Sequence, residues 1–210
     1  MIITEQMLDS LRKRVSDSMS EKRFVHTAEV EKMVTYLAKL YAPEKVNVLR
    51  AAALLHDITK EYTTQKQLEI CKELCIELEP DAYFAPKTLH ARTAAALIPV
   101  LYTEFNDPEI ISCVRWHTTG REGMTVPEKL VYLADYIDMS RTFEDCVLLR
   151  EFFMGARPEL LDQKARDEHL SKTLIKSYNM TVSALLDEGL PISVDTMAAR
   201  NQLIRESLTN

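Results

Sequence analysis

The sequence predicts an all-α fold, and three observations carry that prediction. Glycine is scarce, 4 in 210 residues, while the strong helix formers leucine, alanine, glutamate and lysine are abundant. Apolar residues recur at intervals of three and four, the period of a helix with one buried face. Capping signals punctuate them: Thr4, Ser20, Asp107-Pro108 and Thr125-x-x-Glu128 stand where a helix start needs an acceptor for its free N–H groups.

Taken in order, Thr4 caps a helix bearing Met7, Leu8, Leu11, Val15 and Met19. Ser20 starts a second, with Val30, Val34, Leu37, Ala38 and Tyr41 on one stripe and His26 one turn earlier on that stripe. Pro43 ends it or opens the third helix, which runs through Val48, Ala52 and Leu55 to His56-Asp57. Thr64-x-x-Gln67 reads as a capping box for a fourth helix that stops near Pro80. After the loop 81–86 comes an apolar helix with His90 in its first turns. Asp107-Pro108 begins the next, which ends at Trp116-His117-Thr-Thr-Gly120. The box at Thr125 opens Lys129-Leu-Val-Tyr-Leu-Ala-Asp135-Tyr-Ile-Asp138, and Arg141 follows it. A long amphipathic segment then runs from Pro158 to Gly189, and a last helix carries Met197, Leu203 and Ile204.

No repeat or linker divides the chain, so one domain over 1–210 is expected, with a core at about 20–142 and C-terminal helices at about 143–207. A net charge of −6 without a basic cluster excludes a nucleic-acid polymer as partner, though not a small anion in one local pocket. The 4 cysteines form no C-x-x-C pair, and Cys71 and Cys75, four apart, read as core packing. No signal peptide opens the sequence and no apolar run nears the ~20 residues of a membrane span, so a cytoplasmic, membrane-free protein is expected.

The polar residues in apolar settings are the informative ones. Ala51-Ala-Ala-Leu-Leu-His56-Asp57-Ile-Thr-Lys60 ends an apolar helix on an imidazole beside a carboxylate. Burying either without a partner costs roughly 1–3 kcal/mol. His26, His90 and His117 occupy equivalent places on other helices, and Asp135 closes another; His169, in Arg166-Asp-Glu-His169, reads as a surface residue. The order His, His-Asp, His, His, Asp is a nitrogen and oxygen ligand set without sulfur, suited to iron, manganese, zinc or another first-row metal. Six ligands exceed the need of one tetrahedral ion. Two metals bridged by Asp57, one with His26, His56 and Asp135 and the other with His90 and His117, use them all and suit a hydroxide-activating phosphohydrolase.

These residues and their context resemble the HD-domain phosphohydrolases, and more narrowly the YqeK family. The resemblance rests on Lys22-Arg-Phe-Val-His26, Leu-Leu-His56-Asp-Ile-Thr-Lys60, Leu89-His90, Trp116-His-Thr-Thr-Gly-Arg-Glu-Gly-Met124, Tyr132-Leu-Ala-Asp135-Tyr-Ile and Pro191-Ile-Ser-Val-Asp-Thr-Met-Ala-Ala-Arg-Asn201. It spans roughly residues 8 to 204 and departs around 154–170. It implies a helical HD bundle, a dinuclear divalent or trivalent centre with iron foremost (manganese or another first-row metal being the variants), and usually a homodimer. It further implies symmetrical hydrolysis of diadenosine tetraphosphate, a dinucleoside polyphosphate, into two ADP. On that expectation Asp57 and Lys60 are catalytic candidates. Arg23, His90, Thr118, Thr119, Arg121 and Arg141 are substrate-binding candidates. Lys60 is otherwise a surface lysine, and the two threonines otherwise cap a helix end. The competing readings are hydrolysis of another nucleotide, since the same ligands serve many substrates, or a nucleotide-sensing module without turnover.

Overall fold

A computed structural model describes residues 2–209, apart from the Asp81 side chain; Met1 and Asn210, the ends of the expected domain, lie outside the described residues. Among those residues the chain forms ten α-helices and no strand. They are α1 (Glu5–Ser18), α2 (Glu21–Tyr41), α3 (Val46–Leu55), α4 (Thr64–Glu73), α5 (Leu89–Leu101), α6 (Pro108–Trp116), α7 (Val126–Ile137), α8 (Glu144–Gly155), α9 (Gln163–Asp187) and α10 (Val194–Thr209). The caps follow the sequence: Thr4, Ser20 and Asp107 accept first-turn N–H groups, and Thr125 and Glu128 form a reciprocal capping box.

Helix α3 is the axis of the bundle. Leu49 and the run Ala51–Leu55 are buried, so the helix is apolar on nearly every side and is packed by α1, α2, α6 and α7. Three consecutive alanines keep it thin, which lets those neighbours bring their own residues close to its C-terminal end. Charge secures the outer side. Glu31 of α2, almost fully buried, accepts from Arg12 of α1 (2.7 Å) and from Arg50 of α3 (3.0 Å). Among the described residues no helix is long and apolar enough to cross a membrane.

Three local expectations are corrected. Helix α4 ends at Glu73, well short of Pro80, and its cap is Thr63 rather than Thr64; Gln67 donates instead to the Tyr62 carbonyl. Cys71 is buried, but Cys75 is exposed at φ 52°, because the helix has already ended and turned. His169 is not a surface residue. It is buried against the rings of Phe152 and Phe153, and its Nε2 lies 3.0 Å from the Phe153 carbonyl, so its charged neighbours in sequence hid an inward-facing side of α9.

Candidate metal centre

The elements converge on one point. His56 and Asp57 follow the last residue of α3, and His117 follows the last residue of α6. His26 lies in the second turn of α2, His90 in the first turn of α5 and Asp135 in the last turn of α7. A helix leaves its final carbonyls without intrahelical partners, and the same local device uses them twice. The Nδ1 of His56 lies 2.6 Å from the Ala53 carbonyl, and that of His117 lies 2.7 Å from the Val114 carbonyl. Each Nδ1–H donates to its carbonyl, which leaves the Nε2 lone pair directed away from the helix toward the shared point.

Asp57, almost fully buried, sits among the four imidazoles. Its Oδ2 lies 3.4 Å from His56 Nε2 and 3.7 Å from His26 Nε2. Its Oδ1 lies 3.3 Å from His90 Nε2 and 3.9 Å from His117 Nε2. The two oxygens therefore face different pairs of histidines. Asp135 joins the first pair, with Oδ1 3.0 Å from His26 Nε2 and 3.7 Å from His56 Nε2. His90 and His117 approach each other at 3.0 Å between their Nε2 atoms.

The donor set passes a direct test of fit to a metal. The Nε2 atoms of His26 and His56 are buried without a properly directed hydrogen bond, although carboxylate oxygens stand within ion-pair distance. Buried orphans of this kind are rare unless a ligand satisfies them. Ligand atoms of His26, His56 and Asp57, of His56, His117 and Asp135, and of Asp57, His90 and His117 lie within 4.8 Å of one another. This arrangement of imidazole nitrogens and carboxylate oxygens fits a divalent metal centre.

Electrostatics agree. Burial works against ionised Asp57, but His56 and His90 outweigh it and hold the carboxyl well below its usual range; Arg141 and His26 do the same for Asp135. Burial pushes His117 and His90 down toward the neutral, ligating form. For His26 burial is again the largest influence, yet contact with Asp135 and Asp138 prevails and raises it to about 9, the mark of a place that favours positive charge.

The other candidates divide. Lys60 is at the centre: its Nζ lies 3.3 Å from His90 Nε2, and burial lowers its pKa against the pull of Asp57 and Asp135. Arg23 donates to Asp57 Oδ2 at 2.8 Å while its Nε is buried and unpartnered. Arg141 pairs with Asp135. The Thr118 hydroxyl is 3.1 Å from His117 Nε2 and 3.3 Å from His90 Nε2. Thr119 turns away: it is buried and donates to the Gly120 carbonyl. Arg121 is committed elsewhere, bidentate on the buried Glu128 at 3.0 Å and near the face of Trp116. Loss of that arginine removes the charged partner of a buried carboxylate, leaving it the Thr125 N–H and the Ser112 hydroxyl. Arg121→Ala is therefore expected to lower stability by about 2 kcal/mol, read in denaturant melts, while metal content stays at the wild-type level.

Two residues were overlooked in the sequence. Asp138 is fully buried, with Oδ2 3.2 Å from His26 Nδ1, and Ser140 Oγ lies 3.3 Å from the same nitrogen. Arg150 of α8 ties this segment down through the Asp138 carbonyl and, at 3.2 Å, the Arg141 carbonyl. Asp138 three residues after Asp135 was the available signal. A carboxylate behind a ligating histidine sets its tautomer and basicity. Asp138→Asn is expected to weaken metal affinity roughly 10- to 100-fold, measured by competition with a chelator, with helical content unchanged.

Fold and site together define a class: an all-helical domain with a candidate metal centre assembled on a His-Asp pair. The chain belongs to the HD domain family, whose sequence model matches residues 23–140. It is 29% identical over 192 residues to the symmetrical bis(5'-nucleosyl)-tetraphosphatase of Halalkalibacterium halodurans, covering 91% of this chain and 94% of that protein. It is 28% identical over 196 residues to the protein of the same name from Bacillus subtilis, covering 92% and 95%. Among solved structures it superposes on a predicted HD superfamily hydrolase involved in NAD metabolism from Clostridium acetobutylicum. That likeness has a TM-score of 0.81 and 30% identity, over 94% of this chain and 97% of the other.

Proposed function

We propose that this protein is a symmetrical bis(5'-nucleosyl)-tetraphosphatase, hydrolysing diadenosine tetraphosphate to two ADP. The observation that carries the reading is Asp57 with its two oxygens facing separate histidine pairs, flanked by Lys60, Arg23 and Arg141. On this reading His26, His56, Asp135 and Asp57 would hold one ion, and His90, His117 and Asp57 would hold a second. Iron is the first choice, and a homodimer in the cytoplasm is the expected setting. Such ions supply Lewis acidity and an activated water.

The chain's own residues do the rest. Lys60 neutralises a phosphate oxygen beside His90. Arg23 pairs with Asp57 through one nitrogen and offers its unpartnered Nε to a second oxygen. The Thr118 hydroxyl hydrogen-bonds a third oxygen over His90 and His117. Arg141 holds Asp135 ionised. The name shared by relatives that the chain matches over nearly their whole length supports the substrate, and Arg121 and Thr119 are left out of the substrate contacts.

The deciding experiment is turnover of diadenosine tetraphosphate by purified, metal-loaded protein, with products resolved by chromatography. Two ADP per substrate supports the proposal, and AMP plus ATP contradicts the symmetric cut. The Clostridium structure's association with NAD metabolism favours one second reading, a pyrophosphohydrolase acting on another nucleotide, which turnover of that nucleotide in preference to the tetraphosphate would establish.

A further inference from the structure

The turn after His56 and the loop after His117 carry equivalent ligands, and both are held from behind, but by different parts of the chain. Behind His56, the buried Thr59 hydroxyl donates to the His90 carbonyl at 2.9 Å and meets Thr93 at 2.8 Å, so core helices fix that turn. Behind His117, the Gly120 N–H reaches back to the Trp116 carbonyl at 2.9 Å, and a further hold comes from the far end of the protein. The Thr119 carbonyl accepts the hydroxyl of Thr196, in the first turn of α10, at 3.1 Å, and both threonines are buried. Gly120 follows at φ 64° with Tyr178 of α9 against it, Arg205 pairs with Glu122, and Gln202 accepts from the Gly123 N–H. The Nδ1 anchor of His117 to Val114 orients the ring about its own helix, but His117 stands past the last residue of α6. The direction of the chain there depends on what secures the residues that follow.

We infer that Thr196 is a positioning residue for the metal centre: its buried hydrogen bond to the Thr119 carbonyl sets how His117 and Thr118 face Asp57 and His90. The inference rests on the metal-dependent reading above. Its physical basis is tolerance. Metal–nitrogen distances hold within about 0.2 Å, so a loop free to shift by a few tenths of an ångström costs affinity even when every ligand is present. Thr119 has spent its own hydroxyl on the Gly120 carbonyl, which leaves the Thr196 contact as the tie placed two residues from the ligand. The C-terminal helices thereby become part of the site although they supply none of its ligands.

The test is a calorimetric titration of full-length protein with Mn²⁺, following Trp116 fluorescence in parallel, for wild type, Thr196→Val, Thr196→Ser and Arg205→Ala. Valine keeps the shape of threonine and removes the hydroxyl; serine keeps the hydroxyl; Arg205→Ala removes an exposed contact of the same helix to the same loop. Expected are Mn²⁺ binding weakened roughly tenfold in Thr196→Val and a Trp116 response shifted to correspondingly higher Mn²⁺. Thr196→Ser and Arg205→Ala should stay at wild-type affinity. Wild-type affinity in Thr196→Val overturns the inference, as does equal weakening in Arg205→Ala, which would mean general loosening of the loop. If Thr196→Val does not fold, the serine variant decides alone: loss of affinity despite the retained hydroxyl overturns the role. A wild type that takes up no Mn²⁺, Fe²⁺ or Zn²⁺ removes the metal-centre reading itself, an outcome separate from a metal-binding wild type matched by Thr196→Val.

Discussion

Asp57→Ala is expected to release bound metal and to lower hydrolysis by about four orders of magnitude or more. Metal ions contribute several kcal/mol to a phosphoryl-transfer transition state, and each 1.36 kcal/mol is about one decade in rate. Asp57 is the residue whose loss removes the most at once, because its two oxygens stand against all four imidazoles and Arg23. His56→Ala removes one nitrogen from one side of the cluster and should leave part of the metal in place. The fold should persist in both, since α3 is held by Leu49 and Ala51–Leu55 rather than by its polar end. Elemental analysis with far-ultraviolet circular dichroism reads both effects, and full metal occupancy in Asp57→Ala would sink its shared role.

Gly120→Ala should produce the largest loss of stability of any glycine-to-alanine substitution in this chain. Gly120 has φ 64°, and a Cβ built there would lie 1.9 Å from the Tyr178 hydroxyl and 3.0 Å from Met124 Sδ. A left-handed conformation costs a non-glycine residue about 1–2 kcal/mol, and overpacking a filled core adds about 1–3 kcal/mol. The sum, about 2–5 kcal/mol, corresponds to a Tm lower by roughly 4–20 °C in a domain of this size. Tyr178 is fully buried and stacked on Tyr132 with ring centroids 4.8 Å apart, so it cannot swing aside. Tyr178→Phe in the same chain removes the offending oxygen and should restore part of the loss, leaving the backbone share. A double variant no more stable than Gly120→Ala would show that the clash is not the cause. Gly155, whose added Cβ meets nothing within 4 Å, is the neutral comparison.

Helix α7 shows how far the sequence could be read. Its capping box, its buried stripe and Asp135 at its end were all legible, because a cap and a 3.6-residue period are properties of neighbours along the chain. Asp138 went unassigned for the opposite reason: it lies just past the helix, where periodicity no longer says which way a side chain points. His169 misled through its charged neighbours, and Cys75 through a helix that stopped early. Arg121 and Lys60 looked alike as cations near histidines. Only the packing of α7 against the Gly120–Gly123 loop commits Arg121 to Glu128, and only the approach of α5 to the end of α3 brings Lys60 to His90.

By itself the sequence pointed to an all-helical chain, to the HD family, and to a candidate ligand set of four imidazoles and two carboxylates placed at helix ends and inner stripes. The helices and the candidate ligands follow from composition, capping and spacing, which act over a few residues, and the family from the resemblance of the motifs around those ligands. The tertiary structure alone decided that the two oxygens of Asp57 face separate pairs of histidines, that Asp138 backs His26, and that Thr196 secures the loop of His117. Apart from His56, the neighbour of Asp57 in the chain, the residues brought together here lie between 31 (His26 and Asp57) and 112 (His26 and Asp138) positions apart. Contacts at that separation are set by how helices cross and how closely small residues such as Ala51–Ala53 let them approach, and no local pattern encodes that distance.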